Sequence, residues 1–115
     1  MQTECIFCNI VQRTIPAQPV YEDDKLLAFN DISPAAPVHV LVIPKKHIAN
    51  LLEITPEDNG LIDHLMLTIP KIARQLGLDE AGFRLVVNTK DNGGQTVNHL
   101  HIHILGGRFM TWPPG

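Results

Sequence analysis

The run QTVNHLHIHILGG, residues 95–107, places His99, His101 and His103, three of the chain's six histidines, at alternate positions. Leu100, Ile102 and Ile104 fill the places between and after them. Alternation is the period of a β-strand, in which residues i, i+2 and i+4 point to one side. A strand over 97–105 turns the apolar residues into a core and presents three imidazoles in a row on the opposite face. A single histidine such as His64, on a helical stretch, is ordinarily a satisfied surface or core residue. Three at strand spacing call for chemistry.

Imidazole supports two kinds. Neutral imidazole is the commonest metal ligand, and H-x-H on a strand is a chelating pair. With an ordinary pKa of about 6.5, imidazole is also an acid, a base and a nucleophile near neutral pH. The residues just upstream favour the second kind. KDNGGQT, residues 90–96, is a glycine-rich turn whose backbone N–H groups can cradle a phosphate. Asn88, Gln95 and Thr96 add neutral hydrogen-bonding groups, whereas few acids stand near the histidines to share a catalytic metal. Phosphoryl chemistry at histidine fits these neighbours best.

Several elements must position that face. ECIFCNIVQR, residues 4–13, carries apolar side chains at Cys5, Ile6, Cys8 and Ile10, which suits a short amphipathic helix. Pro16 and Pro19 impose an extended passage. LLAFN, 26–30, reads as a strand closed by the turn-rich DISPAAP. VHVLVI, 38–43, is a second strand, dense in β-branched residues and ended by Pro44. Thr55 as N-cap, with Pro56 at the first helical position and acids behind it, starts a helix that runs to about Leu76. Gly77 caps its end, and Pro70 predicts a kink or break inside it. FRLVVNT, 83–89, and the histidine segment are further strands, and the tail GGRFMTWPPG is irregular. Strands that neighbour one another with a helix inserted indicate an α+β fold.

At 115 residues and 44% apolar, the chain suits a single domain, residues 1–115. A net charge of −3 argues against a general nucleic-acid binder. No run approaches the roughly 18 apolar residues of a membrane span, and MQTECIFCNIVQR has no signal-peptide pattern. With two cysteines, a reducing cytoplasmic setting is expected.

At this point the sequence resembles the histidine triad (HIT) superfamily, and within it the Hint branch. HLHIHIL matches the triad pattern, FNDISPAAPVHVLVIPKKHI resembles the upstream block of that branch, and GGRFMTWPPG resembles its tail. The likeness runs from CIF near the start to the last residue. It implies an antiparallel sheet of about five strands with a long helix and a short N-terminal helix. It also implies a homodimer that continues one sheet across two subunits, with the tail around Trp112 reaching towards the partner's site. The implied activity is hydrolysis or nucleotidyl transfer on purine nucleoside phosphoramidates. It proceeds through a covalent nucleotidyl-histidine, releases a nucleoside monophosphate and requires no cofactor. A Fhit-type dinucleoside polyphosphate hydrolase is the alternative within the superfamily. A nucleotide-binding interaction module with incidental catalysis is the alternative outside enzymes.

By the same resemblance His101 is the nucleophile, and His103 and Thr96 contact the phosphate and the leaving group. His99 supports them, and His39 is a fourth histidine beside the site. Asn88, Gly94 and Val97 match positions around the phosphate, and Asp31 matches the carboxylate that binds the ribose hydroxyls. Ile6, Phe7, Ile10, Phe29 and Ile32 match the purine slot. Two departures bear on specificity: Asn98 stands where relatives usually carry an aromatic or apolar residue, and Thr96 where many carry Ser. Cys5 and Cys8 form C-x-x-C, which alone reads equally as two buried thiols. Some bacterial relatives bind zinc through that motif, which implies a structural Zn2+ site of Cys5, Cys8, His47 and His99. A thioredoxin-like redox role is disfavoured, because no βαβ context surrounds the pair.

Overall fold

The computed structural model describes residues 5–115. Two helices, α1 (Ile6–Val11) and α2 (Asn59–Gln75), accompany five strands. The strands are β1 (Pro19–Glu22), β2 (Leu26–Asn30), β3 (Val38–Pro44), β4 (Arg84–Val86) and β5 (Ile102–Gly106). They form one antiparallel sheet in the order β1-β2-β3-β5-β4, so the α+β expectation holds.

The period of two on β3 divides the protein. Val40 and Val42 turn to α2, joining Leu26, Ala28, Ile102 and Ile104 against Leu65, Ile69, Ile72 and Ala73 of the helix. Leu41 and Ile43 turn the other way, where they pack with Leu27 and Phe29 against Phe7 and Ile10 of α1. The register pairs His39 with Leu105 and Leu41 with His103. His39 and His103 therefore stand on the α1 side. A helix of 17 residues covers one face of the sheet, and a helix of six covers only part of the other. The uncovered part is where the histidines lie.

The structure corrects the sequence expectations at several places. The proposed first residue of α1, Glu4, lies outside the described residues. The extended passage at Pro19 is a strand, β1, at the sheet's edge, where a missing N–H is tolerated. Pro70 neither breaks nor divides α2. The carbonyl that loses its donor belongs to Met66, on the solvent side, while Ile69 and Ile72 hold the inner side in the core. Pro56–Asp58 forms a 3-10 turn before α2, with the Asp58 carboxylate accepting the Thr55 N–H at 3.0 Å. β4 is three residues, shorter than 83–89. The histidine strand begins at Ile102, so His99 and His101 precede it.

Asp23 ties the turn between β1 and β2 to α2. One carboxylate oxygen accepts the N–H groups of Lys25 and Leu26, each at 2.8 Å. The other takes the Tyr21 hydroxyl at 2.7 Å and His64 Nε2 of α2 at 2.6 Å. Burial alone would raise the Asp23 pKa, but these donors outweigh it and hold the carboxyl well below its usual range. Asp23 thus contributes stability that is present above its unfolded pKa of about 3.9 and is lost as pH falls below it. Asp23→Asn should cost about 1–3 kcal/mol in urea unfolding at pH 7, and the gap to the parent should narrow at pH 3. An unchanged midpoint at pH 7 would contradict this account of Asp23.

Candidate active site

β5 starts late because the backbone before it has other partners. Continuing the β3–β5 register would set Pro44 against Leu100. Proline has no N–H to give, and its carbonyl accepts His99 Nε2–H at 2.8 Å. Leu100 N–H goes instead to the carbonyl of Ile48. The His99 carbonyl receives a side chain, accepting Nδ1–H of His101 at 2.7 Å. A carbonyl only accepts, so the neutral His101 ring carries its proton on Nδ1 and its lone pair on Nε2. Phe7 packs edge-on to His101, with ring centroids 5.1 Å apart, and fixes the ring from the α1 side.

A second chain of donors ends at His103. The Ala35 N–H donates to His39 Nδ1 at 3.0 Å, which places the His39 proton on Nε2. That proton points to His103 Nδ1 at 2.8 Å, which in turn places the His103 proton on Nε2. His103 Nε2 is buried and has no partner among the described residues. An unpartnered buried N–H is costly, and a ligand oxygen would satisfy it. Asp31 lies beside the chain, its Oδ2 3.5 Å from His39 Nε2 and its Oδ1 accepting the Ser33 N–H at 2.8 Å. Burial, reinforced by His101 and His39, pushes the His103 pKa down to about 4, so the ring is neutral at pH 7.

Both rings line a cavity of about 450 Å³, large enough for a nucleotide-sized ligand. Ile6, Phe7, Ile10, Phe29 and Ile32 stand among its apolar walls, and Asp31, Thr96 and Val97 line it too. Ile32 is 99% exposed at the mouth, an apolar side chain that only a ligand or partner would cover. His39 and His99 do not line the cavity; they stand behind the rings that do. Leu41, Gln18 and Asn30 line it without having been singled out. Leu41 could have been found, since it shares the face of His39 on an alternating strand.

The phosphate cradle expected of the glycine turn takes another form. Gly94 N–H donates to Asp91 and Gln95 N–H to Lys90, inside the turn. Asn88 Nδ2 donates to the Gly93 carbonyl at 2.6 Å, and neither Asn88 nor Gly94 lines the cavity. Gly94 has φ 76°, which glycine adopts without strain, so the pair shapes the turn that leads into Thr96.

Cys5, Cys8, His47 and His99 converge behind the triad, their donor atoms all within 4.8 Å of one another. Cys8 Sγ lies 3.1 Å from His47 Nδ1, Cys5 Sγ lies 3.4 Å from His99 Nδ1, and the two Nδ1 atoms are 3.2 Å apart. Tetrahedral zinc, with bonds of about 2.3 Å to sulfur and about 2.0 Å to nitrogen, sets its donors roughly 3.3–3.8 Å apart. The Pro44 carbonyl fixes the His99 proton on Nε2 and leaves Nδ1 as a lone pair facing the sulfurs. Burial and the adjoining Cys5 raise the Cys8 thiol to about 11, a cost that a divalent cation among the four donors would remove. These residues fit such an ion. Asp31, His39 and His103 also cluster, but the Ala35 N–H occupies the one lone pair of neutral His39. That cluster fits a hydrogen-bond chain, not a metal.

A fold of this topology, with two histidines of a triad lining a nucleotide-sized cavity and the third behind them, is that of a HIT protein. The chain belongs to this family: the HIT domain model matches residues 12–110. An uncharacterized HIT-like protein of Synechococcus elongatus is 60% identical over 115 residues, the full length of both chains. A HIT family hydrolase from Legionella pneumophila superposes with a TM-score of 0.94 at 51% identity, covering 97% of this chain and 100% of that one. A histidine triad protein from Clostridium difficile gives 0.91 at 46% identity, over 96% of each chain. No helix among the described residues is long and apolar enough to cross a membrane.

The donor chains fix tautomers that can be observed. Long-range 1H–15N spectra should show the proton on Nδ1 of His101 and on Nε2 of His39, His99 and His103. His103 should stay neutral down to about pH 5. Between its folded pKa of about 4 and the unfolded value of about 6.5 only the unfolded ring binds a proton, so His103 makes stability fall as pH drops through that window. A His101 ring protonated on Nε2 would contradict the assignment.

Proposed function

We propose that the protein is a Hint-branch nucleotidyl hydrolase or transferase acting on purine nucleoside phosphoramidates, with His101 as nucleophile. The observation that carries this is the His101 Nδ1–H bond to the His99 carbonyl, which leaves the Nε2 lone pair to a cavity the ring itself lines. Nε2 attacks the α-phosphorus, an N–P bond forms, and the bond from phosphorus to the amine nitrogen breaks as the departing amine takes a proton from solvent, which the later attack of water returns. The ring becomes cationic as it is phosphorylated, and the His99 carbonyl meets that charge through Nδ1–H. His103 Nε2–H donates to a phosphate oxygen, and Thr96 supports the departing amine. Water then attacks the nucleotidyl-histidine, releases the nucleoside monophosphate and restores His101.

The remaining site residues bind the nucleoside. Asp31 accepts hydrogen bonds from the ribose hydroxyls. The purine lies among Ile6, Phe7, Ile10, Phe29 and Ile32, gaining about 25 cal/mol for each Å² of apolar surface removed from water. Asn88 and Gly94 act at one remove, through the turn that presents Thr96 and Val97. The residues take no cofactor into the reaction. A structural Zn2+ held by Cys5, Cys8, His47 and His99 would supply a closed cross-link with no open coordination position.

The chain acts as one HIT domain in the cytoplasm, where the resting state of both cysteines is reduced. Dimerisation is supported by β4, an outer strand that carries exposed Leu85 and follows exposed Phe83, and by the exposed Phe109 and Trp112 of the tail. A monomeric mass in solution would remove this part.

Turnover of adenosine 5′-phosphoramidate should exceed that of a diadenosine polyphosphate, and His101→Ala should lower it by about 10³-fold or more with little change in nucleotide affinity. Preferred cleavage of the polyphosphate would favour the Fhit type. Full activity in His101→Ala would refute the nucleophile.

A further inference from the structure

The Cys/His cluster touches both halves of the active site. Cys5 and Cys8 lie at the start of α1, whose Ile6, Phe7 and Ile10 line the cavity. A helix of six residues does not hold itself together in water, so α1 depends on what anchors it. Packing of Phe7 and Ile10 is one anchor. The other is the approach of its two sulfurs to His47 and His99. His99 is fully buried, and its carbonyl orients the nucleophile. The two thiols are thus one residue away from the apolar wall on one side and, through His99, two hydrogen bonds away from His101 on the other.

Their own geometry suits a different bond. Cys5 is the N-cap of α1, and its Sγ accepts the N–H of Cys8, three residues on, at 3.3 Å. The two sulfurs are within 4.8 Å of each other and both residues are half-buried, within reach of a small oxidant.

We propose that Cys5 and Cys8 are an oxidisable dithiol whose closure to a disulfide detaches α1 from His47 and His99 and switches the active site off. The proposal rests on the zinc assignment above for what the reduced pair holds, and on the nucleotidyl chemistry for what is switched. The oxidant is a peroxide. One sulfur attacks a peroxide oxygen, breaking the O–O bond to give a sulfenic acid and water. The second sulfur attacks the first, forming S–S, breaking S–O and releasing a second water. Two electrons pass from the sulfurs to the peroxide. The two protons come from the thiols, or from solvent when the sulfurs begin as metal-bound thiolates. The disulfide offers no thiolate, so the metal leaves, and the buried His99 ring loses its partners at Nδ1 and keeps its hydrogen bond to the Pro44 carbonyl at Nε2.

The test treats the reduced protein with graded hydrogen peroxide. It follows thiol content, zinc released to a chromogenic chelator, and turnover of adenosine 5′-phosphoramidate. Thiols and zinc should fall together, about one metal per two thiols, and turnover should drop about tenfold to a hundredfold as the site loosens. Dithiothreitol with zinc should restore all three. Cys8→His keeps four donors but cannot form the disulfide, so it should retain its zinc and its own starting rate under the same peroxide. Disulfide formation with turnover intact overturns the switch, as does equal inactivation of Cys8→His. Zinc release without loss of turnover also overturns it while leaving the metal assignment standing. Zinc-free protein that still loses turnover reversibly upholds the switch and removes the metal.

Discussion

One carbonyl oxygen decides what this site can do. Because the His99 carbonyl accepts Nδ1–H of His101, the Nε2 lone pair of that ring is left for the cavity. Pro44 acts beside it from the neighbouring strand: without an N–H it cannot extend the pairing to Leu100, so β5 starts at Ile102, and the Pro44 carbonyl holds the His99 ring.

The rest of the fold supports this local arrangement. α2 buries the centre of one face of the sheet, which leaves the other free to be uneven. There the six residues of α1 supply a wall of Phe7 and Ile10, and the histidines occupy the ground beyond it. Two hydrogen-bond chains run through this ground in opposite senses. One ends in a carbonyl and yields a lone pair at His101; the other begins at the Ala35 N–H and yields a donor at His103. A lone pair beside a donor is what an anionic phosphorus centre requires, since one group must attack while the other receives developing charge. The uneven face has a further consequence, because a short helix needs an external anchor. The sulfurs of α1 reach His47 and His99 behind the cavity, so the apolar cavity wall and the His101 ring share one support.

Much of this was legible in the chain. Strand periodicity located β2 and β3 nearly to the residue, and the alternation of His99, His101 and His103 marked the chemistry. What periodicity could not show is that only His103 sits on a strand, because the departure depends on a proline 55 residues away. β1 was hidden by Pro19, whose penalty vanishes at an edge, and Pro70 was overruled by the burial of Ile69 and Ile72. Cys5, Cys8 and His47 are joined to His99 only by the fold; the resemblance to HIT proteins suggested the grouping, and the distances now bear on it. Gln18 and Asn30, which also line the cavity, carry no signal that would have set them apart from ordinary surface residues.

The central claim is that His101 is presented as a nucleophile by the backbone behind it. Rapid-quench mass spectrometry during a single turnover of adenosine 5′-phosphoramidate tests it most directly. The account predicts an adenylylated peptide carrying the group on His101, formed before the monophosphate is released and absent from His101→Gly. Monophosphate appearing with no adduct at any quench time, or an adduct on another residue, would contradict it.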